Sequence, residues 1–272
     1  MNNDIEKDFN LGGSVERALK GDCDIKAGAV LKEAWDCTIK QFISFTPAIV
    51  ILLFVQLAIF YIALKLQLGE PSIILDALQK PDGFTQSIVE AIFVANFSYE
   101  VVSAPIFAGV SLMAMSHAAG LKTQPRHIAK GLQFTIPVIL ATLFSLVLQG
   151  IAGMIFPLLS LYLSLAFSNS ILLICEKRVP PMQSLLLSLR AVNKKIVPIA
   201  MIYLVVMVMF ITAALFYGIG FIFVLPFFFH AKGIIYRNFH AKGIIYRNMF
   251  GIKLKIVATN QSDNNNSQVF NA

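Results

Sequence analysis

Between residues 131 and 175 the chain carries no charged side chain, and between 196 and 231 it carries none again, runs of 45 and 36 residues. Charge is scarce throughout, at 14% of 272 residues, against about 25% in a soluble domain. Cysteine occurs three times (Cys23, Cys37, Cys175) without C-x-x-C spacing. An odd number of thiols in or next to a reducing compartment argues against a disulfide framework. Tryptophan occurs once, at Trp35. No H-E-x-x-H, Gly-rich phosphate loop or G-x-S-x-G is present, and His117, His127, His230 and His240 are scattered. The sequence therefore predicts no catalytic residue, no cofactor and no metal, and a non-enzymatic protein.

What is present is apolar: 57% hydrophobic residues, 23 phenylalanines and a mean hydropathy of +0.73. One helix crosses the hydrocarbon of a bilayer in about 20 residues, so each charge-free run is long enough to cross and return. The first divides near Gly150 to Gly153 and Pro157, the second near Tyr217-Gly218-Ile219-Gly220, residues suited to tight turns. Two further apolar segments, 41–64 and 101–121, precede them. Six spans result, at about 44–64, 100–120, 133–152, 156–175, 196–217 and 219–236.

The net charge of +7 does not indicate nucleic acid, because the basic residues lie in short segments between apolar runs. In chain order these segments hold six, two, three, none, five, none and six Lys and Arg. Six spans put every rich segment on one side, whereas five would export the last six basic residues against the positive-inside rule. Both termini are thus expected in the cytoplasm. The first 12 residues are polar and acidic, unlike a cleavable signal, so the first span is expected to stay as an anchor.

Outside the spans, Leu31, Trp35, Ile39 and Phe42 recur at helical spacing in segment 1–43. They predict an amphipathic helix, either lying in the interface or packed on the cytoplasmic ends of the bundle. Residues 257–272 read as a disordered Asn/Ser/Gln-rich tail. Residues 229–238 read FHAKGIIYRN, and 239–248 repeat the ten letters unchanged. Ten residues turn a helix 80° short of three turns, so the copies cannot share a face. Either a recent slippage lengthens the last helix into a basic extension (237–256), or Lys232, Arg237, Lys242 and Arg247 form a patch for anionic lipid head groups. Lys232 is expected to carry its ammonium to the interface.

Polar residues inside spans are the remaining clues, because they are expensive there. Glu100 is the sharpest. It is placed in water at the outer interface if the second helix begins near Tyr99, and buried if that helix begins near Ile88. Asn169, with Ser168 and Ser170, is a candidate for bonding between helices or for a substrate site.

The run YGIGFIFVLPFFFHAKGIIYRNMFGIKL resembles the end of a family of uncharacterised six-helix inner-membrane proteins of Gram-negative bacteria. The segments ALKGDCDIKAGAVLKEAWD, APIFAGVSLMAM and CEKRVPPMQSLLLSLRAV resemble that family's N-terminal helix and cytoplasmic turns. A more distant likeness is to the membrane domain of some glycerophosphodiester phosphodiesterases. The family pattern has one FHAKGIIYRN-like unit, and the second copy here departs from it.

The fold expected is an all-α polytopic membrane protein, with six transmembrane helices in three hairpins and an N-terminal amphipathic helix. The resemblance implies the bacterial inner membrane. The function expected is non-enzymatic, acting through membrane lipids, a partner protein or a second copy of the chain in envelope homeostasis. The alternative is a small-molecule permease or a subunit of one.

Overall fold

A computed structural model describes residues 18–19, 25–80, 83–216, 218 and 220–240. All regular elements among the described residues are helical. In chain order they are α1 (Ala27–Leu68), α2 (Ile73–Leu78), α3 (Gln86–Ala118), a 3-10 segment (Pro125–Phe134), α4 (Thr135–Ile155), α5 (Pro157–Ala166), α6 (Ser170–Lys177), α7 (Pro181–Lys194), α8 (Ile196–Leu215) and α9 (Phe221–His240).

Five segments are long and apolar enough to cross a membrane: α1, α3, the 3-10 segment with α4, α5 with α6, and α8. Helix α9 has 20 residues but is not among them. Its Lys232, Arg237, His230 and His240 dilute an otherwise Phe- and Ile-rich sequence. The turns fall where Pro and Gly place them. Helix α4 runs through Gly150 and Gly153 and stops at Phe156, because Pro157 opens the next helix without needing an N–H partner. The α8–α9 turn passes through Gly218 at φ +77°, a left-handed conformation that costs glycine nothing.

Helix α1 joins the predicted amphipathic helix and the first span into one piece of 42 residues, with Pro47 inside it. At 1.5 Å per residue it is about 63 Å long, roughly twice the hydrocarbon thickness. Its first turns face the bundle with Val30, Ala34 and Thr38, while Trp35 and Ile39 stay 48% and 54% exposed. The predicted stripe is split: Leu31 and Phe42 are half-buried, Trp35 and Phe42 still touch Phe227 and Phe223 of α9, and the most deeply buried positions of these turns are Val30, Ala34 and Thr38.

Helices α3 and α9 form the centre. In α3, 78% of the most apolar window is buried, against 22% in α1 and in α8. Helix α9 is buried almost continuously from Phe229 to Arg237. Gly233 makes this possible, because a Cβ there would lie 2.9 Å from the carbonyl carbon and oxygen of Ala114 and from the Met115 nitrogen. Around this pair, Phe45, Ala48, Ile49 and Leu52 of α1 pack on Val110, Met113 and Ala114 of α3 and on Phe229 of α9. A second cluster joins α9 to α7 and α8 through Ile234, Ile235, Val192, Ile199 and Ile202. A third joins α3 to α4 and α6. Side chains such as Phe54, Ile136, Ile155 and Leu215, each more than two-thirds exposed, form the rim that lipid would cover.

Candidate functional site

The fourth apolar segment is broken. Helix α5 ends at Ala166 and α6 starts at Ser170, which frees backbone groups that hydrocarbon cannot satisfy. Ser188 of α7 stitches the break. It accepts a bond from the Asn169 N–H (3.2 Å) and donates its hydroxyl proton to the Ala166 carbonyl (2.6 Å). Ser188→Ala is expected to lower stability by about 1–2 kcal/mol, the upper range for one polar contact in a membrane bundle. Unfolding of the purified variant in mixed micelles measures it.

Beside this break lies a cavity of about 470 Å³ between α1, α3, α4, α5, α6, α8 and α9. Polar side chains project into it: Gln56, Glu100, Ser103, Ser145, Gln149 and Ser164. Two amides are held by neighbouring hydroxyls, Gln56 Nε2 donating to Ser103 (3.3 Å) and Gln149 Nε2 to Ser145 (2.7 Å). The Thr142 hydroxyl is buried at the wall without a partner among the described residues.

Both signs of charge line this space. Lys232 is only 5% exposed, and its Nζ lies 4.4 Å from the centroid of the Phe107 ring. It makes no ion pair or hydrogen bond among the described residues. A cation–π contact returns about 0.5–2 kcal/mol, less than the several kcal/mol that removing an ammonium from water costs. Glu100 lines the same cavity, half-buried and likewise without a hydrogen bond or ion pair among the described residues. It precedes Phe107 by seven residues on α3, about 10 Å along the axis.

These positions revise three sequence expectations. Helix α3 starts at Gln86, close to the earlier of the two predicted starts, so Glu100 sits inside the helix and faces the cavity. Lys232 does not snorkel to the interface, because its neighbours enclose it. Arg237 is 6% exposed and does not form a lipid-facing patch with Lys232. Its guanidinium grips Glu33 of α1 bidentately, at 2.7 and 2.8 Å, and donates to the Ala118 carbonyl at 2.6 Å. Lys242 and Arg247 lie outside the described residues. Asn169 is not brought together with Glu100. It is 1% exposed beside the helix break, and neither amide atom has a partner among the described residues.

The GIIYRN part of the first decapeptide copy is thus a clamp. Tyr236 donates its hydroxyl proton to Glu176 of α6, whose other oxygen lies 3.3 Å from Lys177. Arg237→Ala is expected to cost about 2 kcal/mol, less than a fully enclosed pair would, since Glu33 keeps some access to solvent. Arg237→Lys keeps the charge but loses the fork and should fall between the two. Thermal unfolding of the three proteins gives that order. The two copies also differ as an 80° rotation requires. His230 reaches across to α1 and α3, whereas His240 turns back to the Tyr236 carbonyl of its own helix.

Among the described residues no group of three or more His, Cys, Asp or Glu is placed to hold a metal ion. Comparisons with family models, curated proteins and solved structures find no match. The fold itself defines the class: an all-helical protein with five helices long and apolar enough to span a membrane. Its particular feature is a polar cavity lined by Lys232 and Glu100, neither of which makes a hydrogen bond or ion pair among the described residues.

Proposed function

We propose that the chain is a small-molecule permease, or the binding subunit of one, in the bacterial inner membrane. The observation that carries this reading is Lys232, a basic side chain enclosed at the wall of a polar cavity with no ion pair among the described residues. An intramembrane charge facing an internal cavity marks a substrate or ion path. Lys232 offers itself to an anionic group, a carboxylate or phosphate. Glu100, about two turns further along α3 from Phe107, offers itself to a cationic or hydrogen-bond-donating end of the same molecule. Six crossings, with α9 shielded by its neighbours as the sixth, put both chain ends in the cytoplasm and the Glu100 end of the cavity toward the outside.

The reading through lipids or partner proteins is less favoured. Two of its four basic contacts, Lys232 and Arg237, are buried. One form of it shares the cavity: the anionic group is then a phospholipid head group reaching Lys232 from the bilayer.

The test uses purified protein in detergent and the Lys232→Met variant. Amino acids, dicarboxylates and phosphomonoesters are screened for thermal stabilisation, and co-purified lipid is weighed by native mass spectrometry. A solute that stabilises the wild type but not the variant supports the permease. A lipid retained by the wild type alone supports the head-group form. Identical behaviour of the two proteins in both assays rejects the site.

A further inference from the structure

Two histidines that do not line the cavity join a continuous chain of polar contacts in the interior. His117 of α3 and His230 of α9 are 3% and 0% exposed. His117 Nδ1 faces His230 Nε2 at 3.0 Å. The chain continues at both ends, from His117 Nε2 to the Thr123 hydroxyl at 2.7 Å and from His230 Nδ1 to the Thr38 hydroxyl at 3.0 Å. Thr38 in turn bonds the Ala34 carbonyl of α1 at 2.7 Å.

The proton positions follow from counting donors. Thr38 has one hydroxyl proton, and its shorter contact is to the Ala34 carbonyl, at 2.7 Å against 3.0 Å to His230 Nδ1, so we place that proton in the Ala34 bond. With that proton in the Ala34 bond, Thr38 Oγ1 accepts from His230 Nδ1–H. In a neutral ring His230 Nε2 is then bare and accepts from His117 Nδ1–H. His117 Nε2 is bare in its turn and accepts the Thr123 hydroxyl proton. In this arrangement every hydrogen bond points the same way, with the proton of both rings on Nδ1.

We propose that this chain is a binding site for one proton, the coupling ion of the transport cycle. A proton from water adds to His117 Nε2, and the Thr123 hydroxyl turns from donor to acceptor. The pair then carries one positive charge, which moves to the second ring if the His117 Nδ1 proton passes to His230 Nε2. A second proton cannot be held, because N–H would face N–H across 3.0 Å. Access is from the Thr123 end. Thr123 is buried, but Lys122 and Gln124 on either side of it are exposed. The Thr38 end closes on a helix carbonyl, so the chain stores a proton and does not conduct one.

The charged groups on the elements around the pair leave this role to it. Glu33, Asp36 and Lys40 on α1, Lys122 beside Thr123, and Lys232 and Arg237 on α9 make no hydrogen bond or ion pair with either ring among the described residues. Phe45 flanks both, at 4.7 Å from His230 and 5.2 Å from His117. The site sits where α1, α3 and α9 meet, and His230 is two residues from Lys232. A charge added there acts on the helix that carries the cavity's ammonium. That coupling role rests on the permease reading; the proton site itself does not.

The test is ¹⁵N NMR of histidine-labelled full-length protein in lipid nanodiscs, without any solute, with His117→Gln and His230→Gln to assign the rings. Both rings are expected to show Nδ1 protonated and Nε2 bare at neutral pH, the rarer form of free histidine. On acidification one proton per chain should enter with the fold intact, the two signals moving together, and Thr123→Val should disturb the His117 signal first. A ring with Nε2–H at neutral pH, uptake of two protons by the pair, or no uptake before unfolding would overturn the proposal. A solute screen that fails while this titration succeeds rejects the permease alone.

Discussion

Lys232→Met is expected to abolish anion binding in the cavity, at least 100-fold in affinity, without loss of folded protein. Methionine has nearly the length of lysine and fills the space against Phe107, so the packing on α3 survives. What disappears is a charge that is 5% exposed and faced by no carboxylate among the described residues. Its desolvation costs several kcal/mol, and the ring beneath it returns about 0.5–2. The variant should therefore be as stable as the wild type or more so, while losing the solute or lipid the wild type retains. Glu100→Gln, by contrast, keeps the hydrogen-bonding shape and should discriminate: it weakens molecules with a cationic end and leaves simple anions alone. Two measurements decide it, a melting temperature and a binding isotherm on each variant. A destabilised Lys232→Met that keeps its affinity would show that the ammonium is structural.

The parts of the molecule visible in the sequence are those governed by neighbours along the chain. The breaks at Phe156 and at Gly218 are readable because Pro157 and Gly218 act locally. The apolar runs were readable because crossing length is a property of the run itself. The site was hidden because its partners are distant. Arg237 meets Glu33 across 204 positions and His117 meets His230 across 113, and a count of basic residues per loop treats an enclosed lysine like a lipid-facing one. One signal pointed the right way. The segment FVLPFFFHAKGII is apolar around its whole circumference apart from His230 and Lys232, and a helix of that kind is buried, which makes its lysine an internal one. The N-terminal helix holds the same lesson in reverse. The stripe of large apolar residues straddles the edge of the packed face, and Ala34 and Thr38 lie at its centre.

Gly233→Val should cause a large loss of folded protein, because it forces the two central helices apart. The Cβ alone would stand 2.9 Å from three main-chain atoms of Ala114 and Met115, and a helix backbone cannot swing aside as a side-chain tip does. The two central helices would have to separate. That separation reaches everything hung between them: Phe229 on Val110 and Met113, the His117–His230 contact at 3.0 Å and the Arg237 bond to the Ala118 carbonyl. Overpacking at a site that relaxes costs about 1–3 kcal/mol. Here relaxation removes several further contacts, so the loss should exceed about 4 kcal/mol, a size reserved for such failures. Gly150→Ala is the control, because nothing lies within 4 Å of a Cβ there, and it should stabilise helix α4 slightly. Size-exclusion profiles in detergent separate the outcomes. Monodisperse Gly150→Ala beside aggregated Gly233→Val fits the close approach of α3 and α9, whereas a monodisperse Gly233→Val with wild-type melting would refute it.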